Sequence, residues 1–75
     1  MEVQVLLNAV DKVKDFCNAV HNCPCDMDLS RGRYTIDAKS IMGIYSLDLS
    51  KPLTLHVYDD QGVFDKSIIK DFIVE

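Results

Sequence analysis

The amino-acid sequence predicts a single α/β (α+β) domain over residues 1–75, an open-faced sandwich in which a four-stranded antiparallel sheet carries three helices on one face. Three observations lead to this. Hydrophobic residues make up 48% of the 75 residues and charged ones 27%, which is enough apolar surface for one shared core and too little chain for two. Four short segments alternate apolar and polar residues, the period of a strand with one wet face. The segments between and after them carry apolar residues at helical spacing, and a sheet with one apolar face needs that kind of cover.

Val3, Val5 and Leu7 alternate with Glu2, Gln4 and Leu6, so a first strand is expected over residues 2–7. From Val10 the period lengthens: Val10, Val13, Phe16, Cys17 and Val20 share one face and Asp11, Lys12, Lys14, Asp15 and Asn18 the other. Asn8 is the expected cap of this helix, and Pro24 bars its continuation beyond Cys23. Cys25, Met27 and Leu29, a tight turn at Arg31-Gly32, and Tyr34, Ile36 and Ala38 read as a hairpin. Ser40 caps a short helix from Ile41 to about Leu47, in which Gly43 marks a close approach. Leu53, Leu55 and Val57 form a fourth strand after Pro52. Asp59-Asp60-Gln61-Gly62 breaks the chain, and Phe64, Ile68, Ile69 and Phe72 give a last helix. Two right-handed crossovers in the order β-α-β-β-α-β-α are satisfied most simply by the sheet order 1-4-2-3.

Eight Lys and Arg against twelve Asp and Glu leave a net charge of -4, which repels a polyphosphate backbone, so nucleic acid is not an expected partner. No run of apolar residues is long enough to span a bilayer, the first residues carry no export pattern, and three cysteines cannot all pair. No membrane association and a cytoplasmic location with free thiols are the expectation.

The segment Asp37-Ala38-Lys39-Ser40-Ile41-Met42-Gly43-Ile44-Tyr45-Ser46-Leu47 resembles the region around the regulatory serine of HPr, the phosphocarrier protein of the bacterial sugar phosphotransferase system. Lys39-Ser40-Ile41-Met42-Gly43 is the specific part, and a looser match runs from Cys25 to Tyr58. The family shares the element order derived above. Its phosphocarriers hold the active histidine in a Gly-x-His-Ala-Arg-Pro stretch between the first strand and first helix. Here that stretch reads Leu7-Asn8-Ala9-Val10-Asp11-Lys12, without histidine, arginine or proline, and Asp11 adds a negative charge to the helix start. The resemblance therefore implies a divergent member that has lost the histidine site and is not an enzyme.

It also implies that Ser40 is a phosphorylation site for HPr kinase/phosphorylase. Lys39, Ile41, Met42 and Tyr45 then form a docking surface for that enzyme, for enzyme I or for a transcriptional regulator. Helical angles set Ile41, Met42 and Tyr45 apart from Ile44 and Leu47, which belong to the core. Tyr45 replaces a methionine common in the family. A carrier with a non-standard acceptor is the first alternative. His21 and His56 are the only imidazoles, His21 near the carboxyl end of the first helix and His56 on the open sheet face beside the strand carrying Asp26 and Asp28. The second alternative is a metal or thiol-redox module on His21, Cys23 and Cys25. Pro24 breaks that spacing, so neither a metal nor a cofactor is expected. Cys17, on the apolar stripe, reads as packing.

Overall fold

A computed structural model describes residues 1–74. The elements are β1 (Glu2–Val5), α1 (Val10–His21), β2 (Asp26–Arg31), β3 (Tyr34–Asp37), α2 (Ile41–Tyr45), β4 (Leu53–Tyr58) and a 3-10 helix (Lys66–Phe72). The sheet order is β1-β4-β2-β3 with every neighbouring pair antiparallel, as the alternation and crossover arguments predict.

Register explains why the two faces differ. Val3 stands opposite Leu55, Leu55 opposite Leu29, and Leu29 opposite Ile36, an apolar row running across all four strands. One residue along lies the row Glu2, His56, Asp28 and Asp37 on the opposite face. The apolar face is closed by Val13, Phe16 and Val20 of α1, Ile44 of α2, and Ile69 and Phe72 of the 3-10 helix, all buried. Phe16 and Phe72 meet edge to face, with ring centroids 5.5 Å apart and planes at 85°, which ties α1 to the C-terminal segment.

Five expectations are corrected. The first strand ends at Val5, because the Leu6 amide turns to donate to the Phe72 carbonyl (2.9 Å) and Val5 bridges Ile73. Asn8 does not cap α1; Ala9 is the N-cap in extended conformation, without a side-chain bond, and its carbonyl accepts from Val13 N at 3.1 Å. Val10 is 63% exposed, since the first turn of α1 precedes the part of the helix that lies on the core. The hairpin turn centres on Gly32-Arg33, one residue later than expected, with Arg31 opposite Tyr34. Gly32 takes φ +61°, which an L side chain resists. The last helix is 3-10, and at three residues per turn Ile69 and Phe72 eclipse on the core while Ile68 falls outside at 37% exposure.

The segment entering that helix is held by carboxylates. Asp59 accepts from Val63 N at 2.9 Å and Phe64 N at 2.8 Å, and Asp65 caps the 3-10 helix by accepting from Ser67 N. The bonds from Phe64 and Val63 hold Asp59 below the usual carboxylate range, and those from Ser67 do the same for Asp65. A depressed folded-state value means the contribution is present above the unfolded-state value and is lost as pH falls through the folded one. The urea midpoint is expected to drop as pH is lowered past the ordinary aspartate value of 3.8, and Asp59→Asn should flatten that dependence. An equally steep profile in the variant would show that these bonds do not carry it.

Candidate functional site

The site is built around the start of α2. Asp37 ends β3 and organises the turn: its Oδ1 accepts from Lys39 N at 2.9 Å and its carbonyl accepts from Ser40 N at 3.0 Å. Ser40 then takes the N-cap geometry, with Oγ accepting from Gly43 N at 3.2 Å and the carbonyl accepting from Ile44 N at 3.0 Å. The cap is satisfied, yet Ser40 itself is exposed.

Gly43 is the point of close approach. A Cβ there would stand 3.2 Å from Ser40 Oγ and 3.4 Å from Ile36 Cβ. Ala in place of Gly ordinarily stabilises a helix by about 1 kcal/mol, and a lost N-cap costs about as much. Crowding of the Ser40 cap oxygen, the tighter of the two approaches, decides the sign. Gly43→Ala is expected to lower stability by about 0.5–1 kcal/mol by chemical denaturation, where an open helical glycine would show a gain.

On α2, Met42 is 77% exposed, Tyr45 40% and Ile41 38%, whereas Ile44 is fully buried and Leu47 nearly so. Three apolar side chains therefore lie open around one capped hydroxyl. Lys39, expected as part of the docking surface, is held within the fold. Its Nζ donates to the Cys23 carbonyl at 2.6 Å, tying the start of α2 to the chain just beyond α1. Asp37 adds a carboxylate close to Ser40, although the first turn of α2 has no acidic residue of its own.

The start of α1 holds no imidazole. His21 lies in the last turn of α1 and is exposed. His56 faces the open side of the sheet, where Nδ1 lies 3.3 Å from Glu2 Oε2. The expected neighbour Asp28 instead accepts the Tyr58 hydroxyl at 2.9 Å, because Tyr58 reaches diagonally across β4 to β2.

All three thiols are free. Burial, together with hydrogen bonds to Cys23 and Asp59, pushes the 5% exposed Cys25 thiol up to about 12, and burial raises Cys17. Both are protonated and weakly nucleophilic at neutral pH. Among the described residues, no three His, Cys, Asp or Glu side chains converge as metal ligands.

No family model matches the chain, and no curated protein matches it by sequence. Among solved structures it is similar to the crystal structure of HPr-C-His from Thermoanaerobacter tengcongensis, at a TM-score of 0.73 and 22% identity, over 93% of this chain and 83% of that one. The fold is HPr-like. In this fold α2 and its Ser40 cap follow directly on β3. No helix among the described residues is long and apolar enough to cross a membrane.

Proposed function

We propose that this protein is a regulatory or interaction protein related to the bacterial sugar phosphotransferase system, one that keeps the serine-centred surface of HPr and does not act as a histidine phosphocarrier. The carrying observation is the exposed Ile41, Met42 and Tyr45 cluster beside the Ser40 hydroxyl on an HPr-like fold. Exposed apolar groups gathered around a polar centre suit docking, because burying them against a partner recovers hydrophobic free energy that the monomer leaves unused. HPr kinase/phosphorylase is the first partner on this reading, with enzyme I or a transcriptional regulator as the others. The chain itself is a substrate and a ligand, not an enzyme.

A phosphoryl group on Ser40 Oγ would sit at the start of α2, where backbone N–H groups without helical partners point outward. Two local features act on it. Asp37 opposes it, and Lys39 must leave the Cys23 carbonyl to neutralise it, so modification loosens the tie between α2 and the end of α1.

Incubation with HPr kinase/phosphorylase and ATP is expected to label wild type and the Ser46→Ala variant equally and to leave Ser40→Ala unlabelled. Ser46 is the C-cap of α2 and its hydroxyl donates to the Gly43 carbonyl, which makes it a poor acceptor. Undiminished labelling of Ser40→Ala would overturn the assignment.

A further inference from the structure

A second open site lies at the other end of α2, between its C-cap and the β2–β3 turn. The cleft has a volume of about 670 Å³, within the roughly 300–1,000 Å³ of small-ligand sites. Arg31 and Arg33 both line it, and they are the only arginines in a chain of net charge -4. Among the described residues neither guanidinium belongs to an ion pair, so their donors face the cleft and solvent without a protein acceptor.

The other lining groups complete a site for an anion. Tyr34, 72% exposed, forms an aromatic wall, and Leu47, nearly buried, forms an apolar floor. The C-terminal carbonyls of α2 would repel an anion if bare, but Gly43 O accepts from Ser46 N and Ser46 Oγ, and Ile44 O accepts from Leu47 N. Asp48 is the one lining carboxylate. Its Oδ1 accepts both the Ser50 amide and the Ser50 hydroxyl, and its charge is felt by Lys51 as well as Arg31. Two guanidinium groups and one lysine against one carboxylate leave this corner positive while the open sheet face is acidic.

We propose that this cleft binds a small molecule carrying a multiply charged oxyanion, a phosphate ester or a dicarboxylate, gripped by Arg31 and Arg33. Planar guanidinium forks suit both groups, because each presents paired charged oxygens to parallel N–H donors. The site is separate from Ser40 and does not depend on phosphorylation there.

The test is a titration of the ¹⁵N-labelled chain at low ionic strength with sodium pyrophosphate, inorganic phosphate and malonate, each against sodium chloride at matched ionic strength. Saturable shifts are expected at Arg31, Gly32, Arg33, Tyr34 and Leu47. Arg31→Gln and Arg33→Gln, checked for folding by the dispersion of the same spectra, are each expected to weaken binding roughly tenfold. Lys66→Gln should leave it unchanged. Tighter phosphates would assign a phosphoryl ligand and tighter malonate a dicarboxylate. Shifts that fail to saturate, that spread to Lys66 and Lys70, or that survive in the double arginine variant would overturn the site.

Discussion

Phe16→Ala is expected to remove a large share of the protein's stability. Phe16 is fully buried near the middle of α1 and meets Phe72 of the 3-10 helix edge to face. Removing a buried aromatic ring costs about 3–5 kcal/mol through lost transfer energy and the cavity left behind. The edge-to-face pair adds about 0.5–1.5 kcal/mol beyond area burial. A chain of this length has a total stability on the order of 4–11 kcal/mol, so the loss is comparable with the whole at the lower end. Tyr34→Ala removes an exposed ring and should stay within about 0.5 kcal/mol of wild type. Urea denaturation followed by circular dichroism separates the two. A Phe16→Ala midpoint close to that of Tyr34→Ala would mean that the α1 packing described above is not what holds the helices to the sheet.

Much of this architecture was readable from periodicity. Period-two alternation in Leu53-Thr54-Leu55-His56-Val57 and helical spacing from Val13 to Val20 are local signals, and the handedness of two crossovers then leaves few sheet orders. The Ser40 cap was legible for the same reason, since a serine just before a helical segment supplies the acceptor its first turn lacks. What escaped was decided by distant contacts. A spacing of three fits both an α- and a 3-10 helix, so Ile69 and Phe72 could not announce which one they occupy. Lys39 read as part of the docking surface beside Ser40, and no local pattern showed its partner, the Cys23 carbonyl, sixteen residues earlier in the chain and brought near only by the packing of α1 against α2. His56 had two flanking strands to choose from, and Glu2 on β1 proved nearer than the acids of β2 because Tyr58 already occupies Asp28. The arginine cleft was missed altogether. Arg31 and Arg33 lie on a hairpin and Ser46 and Asp48 beyond α2, and no local pattern relates them.

The second large effect is an absence. A carrier must present an imidazole where a helix start can stabilise the phosphoryl dianion, and α1 opens instead on Ala9 and Val10 with Asp11 in its first turn. His21 sits at the opposite end of the same helix, where the dipole favours cations, and His56 is beside Glu2, which repels an anion. On the proposed reading, therefore, neither imidazole serves as a phosphoryl acceptor. Incubation with enzyme I and phosphoenolpyruvate is accordingly expected to leave the mass of the chain unchanged.

The central claim, that the serine surface is retained and the histidine site is not, is tested most directly by mapping phosphate on the intact chain after parallel exposure to enzyme I with phosphoenolpyruvate and to HPr kinase/phosphorylase with ATP. The account predicts one acid-stable phosphoryl group, on Ser40, from the second reaction alone. An acid-labile phosphoryl group on His21 or His56 from the first reaction would contradict it.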